Sequence, residues 1–343
     1  MTSKKLALIT TTIHIPSVLS LYREIDKDVM FFITGDRRTP HQEVRNFLSS
    51  LGNAIYFSDV DQEKLGYRSS ELIGWNTIGR RNIALLEAIK YHADIIITID
   101  DDNIPLGQDY FSDFIRVLTE PFAGLEVTSA DGWFNIGEYM IPPIYHRGFP
   151  YERRHIEHNY VMRQIQGIKI GVAAGLWFGD PDIDAMERIT NRPKVNQIAA
   201  IARRGLLVDN NLFAPINSQN TAFMAELAPL FMVWAGVGRY DDIWASYFAQ
   251  RIMRSFGYHV YYGPPFVCQE RNIHNLWQNL RDEILGMEYT TRFCNDLLAA
   301  ELSGASLLDK MEYLYEHLKN KEYLPSVVYE LGKAWCEDIK GII

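Results

Sequence analysis

The sequence predicts an α/β fold, in which a doubly wound sheet is followed by a helical C-terminal extension. Through the first hundred residues, short apolar runs typical of strands alternate with helical patterns. One of these runs, residues 95–99, is β-branched and uncharged, as expected of a buried central strand, and it leads directly into Asp100-Asp101-Asp102-Asn103. From about residue 276 to residue 343 the pattern is helical.

The elements of the first half alternate as expected of parallel strands joined by right-handed crossovers. A hydroxyl-rich turn at residues 10–12 follows the first strand, and Asn76 or Thr77 caps the helix that precedes the acidic run. The predicted elements are, in order, a strand at 6–9, a helix at 18–25, strands at 29–34 and 54–57, a helix from 76 or 77 to about 92, and the strand at 95–99.

Three consecutive carboxylates at a strand end predict a cation site. Adjacent like charges repel, so the cluster needs a cation or several hydrogen-bond donors to stabilise it. In an open α/β sheet, ligands bind beyond the carboxyl ends of the strands. Carboxylate and amide oxygens suit Mn²⁺ or Mg²⁺, and such an ion can itself hold a substrate diphosphate. A solvated loop or a helix cap is the alternative interpretation.

The pattern brings three strand ends to one edge of the sheet, which favours a nucleotide pocket there. Thr11 and Thr12 follow the first strand, and Asp36 follows the second, where it either accepts from a base or ribose or is a turn residue. Arg80 and Arg81 open a helix against the preference of its dipole, which indicates an anionic partner such as a diphosphate, or else a solvated face. Neither a Gly-x-Gly-x-x-Gly nor a P-loop motif is present, which argues against dinucleotide binding and ATP hydrolysis.

Further candidate groups lie in the second half of the chain. Residues 128–150 are aromatic and punctuated by Gly and Pro, which suits either a sugar platform or a packed loop. A strand predicted at 170–178 is followed by a second carboxylate-rich segment, which contains Asp182 and Asp184 and suits a metal or sugar hydroxyls. The remaining predictions are a strand or helix from about 220, a helix from about 238, and a strand at 256–262 that ends at 263–265. Asp241 and Asp242 lie in the first turn of the predicted helix, where the helix dipole alone favours carboxylates.

Composition and charge exclude several classes of protein. The chain has 343 residues, enough for one large domain or two, and its 47% apolar and 22% charged residues are ordinary for a globular protein. The net charge of −9 argues against nonspecific binding to nucleic acid or anionic membrane, so an anionic substrate needs local basic groups or a metal. Three scattered cysteines suit neither a disulfide framework nor a zinc site. No signal peptide or membrane span is recognised, so a cytoplasmic location is expected.

Five segments form a recognisable combination, namely IDDD at 99–102, RGFPY at 147–151, GLWFGDPDIDA at 175–185, NTAF at 220–223 and GRYDDIWA at 238–245. In this order they resemble motifs of the reversibly glycosylated polypeptide family, the UDP-arabinopyranose mutases of glycosyltransferase family 75. Each segment is weak on its own, but five in order over about residues 10–283 are a specific signal. The chain is similar to a divergent, microbial member of that family.

The resemblance implies a GT-A-like (Rossmann-like) doubly wound mixed sheet in residues 1–275. Residues 276–343 are then a C-terminal helical extension that packs on the core or on another subunit, so a homo-oligomer stays open. The resemblance also implies dependence on Mn²⁺ or Mg²⁺ and a UDP-sugar substrate, UDP-arabinose above all. The implied reaction interconverts the pyranose and furanose forms of that sugar, a precursor of cell wall polysaccharide.

The resemblance also assigns roles to individual residues. Asp102 and Asp100 would hold the metal. The family's histidine after the last strand is replaced near Cys268-Gln269, which leaves His274 as the nearest candidate for a third ligand. The expected nucleotide-binding residues are Thr11, Thr12, Asp36, Arg80, Arg81, Asp100 and Asp101, and the expected sugar-binding residues are Trp177, Asp182, Asp184 and Asn220.

Self-glycosylation on an arginine is a further implication of the resemblance, and the pattern places it at Arg154. The family has a neutral pair before its arginine, whereas here Arg153-Arg154 follows Tyr151-Glu152, so Arg153 competes for this role. A guanidinium is a poor nucleophile at its normal pKa, so on physical grounds Arg154 is expected to clamp the diphosphate instead. Asp241 and Asp242 are expected to bind sugar hydroxyls, and one of them to act as base.

Two other classes of function stay open. A metal-dependent glycosyltransferase, including a self-glycosylating one, would use the same metal and diphosphate site to pass the sugar to an acceptor. A non-catalytic scaffold subunit with a decayed nucleotide site is the other alternative, and the intact acidic run argues against it. Fold-level analogy alone does not separate these functions.

Overall fold

A computed structural model describes residues 4–271 and 274–343 of the chain. Its strands are β1 (Leu6–Thr12), β2 (Met30–Gly35), β3 (Ala54–Phe57), β4 (Ile95–Ile99), β5 (Asn103–Pro105), β6 (Phe122–Thr128), β7 (Met140–Ile141), β8 (Val161–Ile168), β9 (Ile170–Gly179), β10 (Gln197–Ile198), β11 (Leu206–Val208), β12 (Asn220–Met224) and β13 (His259–Gln269).

Helices alternate with these strands and then occupy the C-terminal part of the chain. They are α1 (Leu19–Ile25), α2 (His41–Leu51), α3 (Asp59–Lys64), α4 (Arg68–Ile73), α5 (Arg81–Lys90), α6 (Tyr110–Thr119), α7 (Ala185–Thr190), α8 (Ala200–Arg203), α9 (Asp241–Arg254), α10 (Leu276–Ala299), α11 (Leu307–Leu318) and α12 (Ser326–Ile342). Among the described helices, none combines the length and the apolar character that crossing a membrane requires.

The main sheet is mixed, as expected, and its first part is doubly wound. Within the described residues it has eleven strands in the order β3-β2-β1-β4-β12-β9-β13-β11-β6-β8, with β5 added beside β13. Strands β1 to β4 are parallel to one another. Strand β12 then runs antiparallel to both β4 and β9, and β13 runs parallel to β9. The α/β class predicted from the alternating pattern is confirmed.

Strand β4 lies in the middle of the sheet because its side chains are apolar on both faces. All five of its residues are buried, which is typical of a strand covered by helices on both sides. Helix α5, which precedes β4 in the chain, packs against the neighbouring strands β1 and β2. The sequence prediction of a buried central strand before the acidic run is therefore confirmed, and the run emerges at the carboxyl end of β4.

Two predicted boundaries are wrong. Thr10, Thr11 and Thr12 belong to β1 rather than to a turn, because β2 pairs with the strand as far as Thr12. Strand β13 starts at His259 and continues through residues 263–265 to Gln269. The two prolines lie at a shift of register between Gly263 and Val267, where the ladder does not need the N–H groups that proline lacks.

The C-terminal helices pack on the core of the same chain. Three of the largest fully buried side chains, Trp234, Trp244 and Trp335, lie at this junction. Trp244 stacks on Phe293 of α10 with ring centroids 4.5 Å apart, and the Trp335 indole of α12 donates to the Pro229 carbonyl at 2.8 Å. Burial of such large aromatic surfaces stabilises the junction, so the first of the two alternatives for these helices, packing on the core, describes this chain.

Candidate functional site

The carboxyl ends of β1, β2 and β4 meet at one edge of the sheet, as the sequence predicts. The register pairs Thr12 with Gly35 and places β4 on the other side of β1. The Thr39 hydroxyl, just after β2, donates to the Thr12 carbonyl at 2.7 Å. The Thr11 hydroxyl donates to the Thr34 carbonyl at 3.0 Å. These bonds hold the ends of β1 and β2 together at the edge where a ligand would bind.

The three carboxylates of the acidic turn, Asp100 to Asp102, have different partners. Asp100 forms an ion pair with Arg81, whose side chain is 4% exposed. Asp101 accepts a hydrogen bond from the Thr12 hydroxyl. No cation of the described residues lies within 4.0 Å of the Asp101 or Asp102 carboxylate. Of the three carboxylates, only that of Asp100 is therefore neutralised by a direct ion pair.

Burial and like charge make the acidic turn costly in the metal-free protein. Burial, together with the charges of Asp100 and Asp101, raises the pKa of Asp102 to about 6. Burial also raises the pKa of Asp101, although the Thr12 hydroxyl opposes that shift. Carboxylates whose charged forms are disfavoured in this way gain free energy when a cation approaches them.

We expect the metal-free protein to lose stability as the pH rises through about 6, because of Asp102. The unfolded carboxyl has a pKa of about 3.9, so between about pH 4 and pH 6 the folded chain holds more protons than the unfolded chain. Stability therefore falls with rising pH over this range, and above pH 6 the whole cost is present.

The measurement is the melting temperature of the wild type and of Asp102→Asn in EDTA, at about pH 5 and about pH 7.5. The advantage of the variant over the wild type should be larger at the higher pH. Asp113→Asn, which changes a surface carboxylate paired with Arg116, is the matched control. An advantage that is equal at both pH values would contradict the expected pKa of Asp102.

The oxygen donors at the acidic turn fit a hard divalent cation. Asp100 and Asp102 supply two carboxylates. The next residue, Asn103, has an Oδ1 atom that is buried and has no hydrogen-bond partner among the described residues. Gln269 lies opposite Asn103 in the β5–β13 pairing, with its Nε2 atom 3.4 Å from Asp102 Oδ1. Mn²⁺ and Mg²⁺ keep several waters and take phosphate oxygens, so two carboxylates with such neighbours suffice.

The predicted three-ligand set of Asp100, Asp102 and His274 is not assembled. Across residues 4–271 and 274–343, no group of three or more His, Cys, Asp or Glu side chains is arranged to hold a metal ion. His274 lies at the surface. Its pKa is lowered first by partial desolvation and then by the charges of Arg271 and Arg239. The set is not assembled because β13 ends at Gln269, which places an amide rather than an imidazole beside Asp102.

Arg147 is the centre of a second group of charges, beside the acidic turn. Its guanidinium binds Asp182 through two hydrogen bonds of 2.9 Å and Asp242 through two, of 3.0 and 3.3 Å. All three residues are buried, and the Asn217 amide donates to Asp182 at 2.8 Å. Burial alone would raise the pKa of Asp182, but the Arg147 charge outweighs it and holds that pKa far below its usual range.

Ser218 joins this buried group to the acidic turn. The Arg81 guanidinium, which pairs with Asp100, donates to the Ser218 hydroxyl at 2.7 Å. The Ser218 N–H in turn donates to Asp242 Oδ2 at 3.2 Å. A continuous chain of polar contacts therefore runs from Asp100 to Asp242 and on to Arg147, so the two charged groups are held in fixed relative positions.

Arg154 lies on the far side of Asp182, with its charge already paired. One of its guanidinium nitrogens is 2.7 Å from Asp184 Oδ2, and its side chain is 7% exposed. The guanidinium also covers the Tyr151 ring at 3.8 Å. Arg153 is half-buried, and its carbonyl contacts the His158 ring at 2.7 Å. The Asp184 carboxylate and the Phe149 carbonyl thus hold the Arg154 guanidinium in place.

Three further arginines, Arg188, Arg239 and Arg271, form an arginine cluster next to Asp182. One nitrogen of Arg188 is 3.6 Å from Asp180 Oδ1, and the Arg271 backbone N–H donates to Asp180 Oδ2 at 3.2 Å. The Arg239 guanidinium pairs with Glu283 at 2.9 Å. Burial and the neighbouring charge of Arg271 lower the pKa of Arg188 to about 10. Arg188 and Arg271 thus meet at the Asp180 carboxylate.

Two predicted nucleotide-binding residues lie inside the protein instead. Arg80 is fully buried, and its guanidinium nitrogens donate to the Gln62 side chain, to the Ser70 hydroxyl and carbonyl and to the Gly74 carbonyl. The Asp36 carboxylate accepts from the backbone N–H groups of Asn76 and Thr77 at 2.7 and 3.2 Å. Asp36 therefore holds the loop before α5, as in the turn interpretation, and Arg80 has no free donor for a diphosphate.

The predicted sugar residues are only partly brought together. Asp182, Asp184 and Asp242 lie around Arg147 and Arg154, and Trp177 packs edge-to-face against the His146 ring at 5.4 Å. The Asn220 amide points away, accepting from Tyr110 and donating to the Pro265 carbonyl. Asp241 accepts from the Val237 N–H at 2.8 Å, so this carboxylate caps the local turn.

The aromatic stretch of residues 128–150 is a packed loop rather than a sugar platform. Trp133 is 5% exposed and Phe134 is fully buried. The Trp133 ring meets the Tyr247 ring edge-to-face at 5.5 Å. Arg147 lies in the same loop, so this packing fixes the backbone that carries its side chain.

Sequence reasoning missed the partners that organise the site. Arg147, Ser218, Gln269 and the arginine cluster were not among the candidate residues, although all lie within or beside the five motif segments or the predicted last strand. The available signal was the position of Arg147 at the start of RGFPY and of Arg239 within GRYDDIWA. An arginine next to an acidic motif is a candidate partner for it, since arginine is favoured for buried ion pairs.

Comparison with known proteins identifies relatives of this chain. The reversibly glycosylated polypeptide family matches residues 3–320. The chain is 27% identical over 211 residues to the probable UDP-arabinopyranose mutase 4 of Arabidopsis thaliana, covering 57% of this chain and 51% of the relative. It is 27% identical over 216 residues to the probable UDP-arabinopyranose mutase 1 of Pisum sativum, covering 61% and 55%.

A third relative, UDP-arabinopyranose mutase 2 of Arabidopsis thaliana, is 25% identical over 240 residues, which cover 68% of this chain and 62% of the relative. These matches span between 51% and 62% of the length of the three relatives. The family match is broader, because it extends over nearly all of the chain. On this basis the chain belongs to the reversibly glycosylated polypeptide family.

Proposed function

We propose that the protein is a mutase that interconverts the pyranose and furanose forms of UDP-arabinose and depends on Mn²⁺ or Mg²⁺. The observation that carries the proposal is the position of the acidic turn. It lies where the carboxyl ends of the parallel strands β1, β2 and β4 meet, and Ser218 joins it to a buried arginine–carboxylate group. Such an edge is where nucleotide ligands bind, and the names of the relatives supply the sugar.

On the diphosphate side of this proposed site, the residues act by holding charge. A UDP-sugar carries about two negative charges on its diphosphate, and its C1–O bond breaks through an oxocarbenium-like state. A divalent ion held by Asp100 and Asp102 would supply Lewis-acid stabilisation of the departing diphosphate. Arg81 fixes the orientation of Asp100, and Gln269 and Asn103 place amide groups beside Asp102.

On the sugar side, Asp242 would accept from a sugar hydroxyl. Asp182 is fully buried with both oxygens bound by Arg147 and Asn217, so it would hold Arg147 in place. Arg147 holds both carboxylates in fixed positions through its ion pairs. In a mutase the UDP stays bound while a different ring hydroxyl closes the new ring, so the hydroxyls must be held close to C1 throughout. Of the two predicted candidates for base, Asp242 belongs to this group, whereas the Asp241 carboxylate is bound to the Val237 N–H. We therefore assign the role to Asp242.

The direct test is to incubate the purified protein with UDP-arabinopyranose and Mn²⁺, Mg²⁺ or EDTA, and to separate the nucleotide sugars by chromatography. UDP-arabinofuranose should form with either metal and should not form in EDTA. Asp102→Asn is the inactive control, and Asp113→Asn is the matched surface control.

The same experiment separates the two alternative functions. Release of UDP together with free sugar, or with sugar attached to the protein, would reject the mutase and favour the glycosyltransferase. Binding of UDP-sugars without any turnover would favour the scaffold. Formation of UDP-arabinofuranose that is equal in EDTA would contradict the metal dependence alone.

A further inference from the structure

The topology brings the arginine cluster to the edge that carries the acidic turn. Strands β9 and β13 are parallel neighbours whose last residues, Gly179 and Gln269, are paired, and Gln269 is also paired with Asn103. Arg271 follows Gln269 by two residues, and Arg188 lies on the helix after the β9 turn. The Arg239 carbonyl accepts a hydrogen bond from Arg147. Arg188 and the Arg271 backbone both contact Asp180. Arg239 pairs with Glu283, whose other oxygen accepts from the Ala185 N–H at the start of the Arg188 helix. Three separate elements therefore bring these arginines next to one another.

The partners of these arginines leave cationic capacity unused. Arg188 shares Asp180 with Lys194, at N–O distances of 3.6 and 3.9 Å, and Arg239 has Glu283. The Arg271 guanidinium has no ion pair within 4.0 Å and no side-chain hydrogen bond among the described residues. Asp182 attracts it, but Arg147 and Asn217 already bind both Asp182 oxygens.

The charge balance at this position calls for an anion. Guanidinium groups that face one another repel, and a phosphate group relieves that repulsion while it accepts paired hydrogen bonds from their planar forks. Arg80 and Arg81, the arginines that the sequence suggests, are bound to protein groups. Arg188 donates to the Pro181 carbonyl and Arg239 pairs with Glu283, so the Arg271 guanidinium is the member of the arginine cluster that is least engaged by protein groups.

We propose that Arg188, Arg239 and Arg271 form the binding site for the diphosphate of the nucleotide ligand, with Arg271 as the principal contact. The proposal rests on the proposed function for the identity of the nucleotide. It assigns arginine donors beside the acidic turn that would bind the diphosphate in addition to the cation that Asp100 and Asp102 would hold, and that would still bind it in EDTA.

The test is isothermal titration calorimetry of the wild type with UDP, UMP and inorganic pyrophosphate, in EDTA. The wild type should bind UDP more tightly than UMP. Arg271→Gln and Arg188→Gln should each weaken UDP binding by roughly tenfold or more, since each removes charge-assisted hydrogen bonds, and should change UMP binding much less. Arg271→Lys, which keeps the charge but not the planar fork, should lie between them.

Arg204→Gln is the matched control, because Arg204 is an exposed arginine outside the cluster. A melting temperature for each variant shows whether it is folded. If the folded Arg271 and Arg188 variants bind UDP and pyrophosphate as the wild type does, the arginine site is wrong, and mutase turnover measured in parallel still stands. If the wild type binds no UDP and has no turnover, the proposed function fails as well.

Discussion

Replacing Asp102 by asparagine is expected to lower turnover of UDP-arabinopyranose by roughly 100-fold or more, a loss of the size found when a group that stabilises developing charge is removed. The same change should raise the melting temperature of the metal-free protein near neutral pH. It removes a charge that burial and two neighbouring carboxylates disfavour, as the raised pKa of Asp102, about 6, indicates. The measurements are kcat/KM with Mn²⁺ and thermal unfolding in EDTA.

Opposite changes in activity and stability are the signature of a site that holds like charges for function. Asp113→Asn should change neither quantity. A variant that loses both activity and stability would show that Asp102 supports the fold rather than a cation. A variant that keeps full activity would exclude Asp102 from the proposed chemistry.

Replacing Arg147 by methionine is expected to destabilise the protein by about 3–5 kcal/mol, the usual cost of leaving a buried charge without its partner. Asp182 and Asp242 would both lose this cation, and both are buried. Chemical denaturation of the wild type and of the variant measures the change in the free energy of unfolding. Turnover should be lost as well, since both carboxylates would then be free to move.

The control is Arg163→Met, because the side chain of Arg163 is 58% exposed while it also contacts two carboxylates, Glu126 and Asp209. Exposed pairs contribute little, so that change should be mild. Adding Asp182→Asn and Asp242→Asn to Arg147→Met should restore part of the stability, because the unpaired charges are then gone. If Arg147→Met alone is as mild as the control, the buried ion pairs are not what holds this group together.

Local pattern was enough to predict much of the N-terminal half of the sheet. The strands around Ile9, Ile33 and Ile97 follow from short β-branched runs, and the placement of the acidic turn follows from the rule that parallel strands end at one edge. The prolines in β13 misled the prediction, because a shift of register lets a strand continue where its own residues read as a stop.

By itself, the sequence determined the α/β class, the acidic turn at a strand end and the family of this chain. Only the tertiary structure decided which charges meet. Arg147 is 35 residues from Asp182 and 95 from Asp242, and the insertion of β12 between β4 and β9 brings Ser218 to Arg81. Local periodicity specifies elements, whereas ion pairs depend on the order in which strands assemble, so the partners of Arg80, Arg81 and Arg147 follow from the fold.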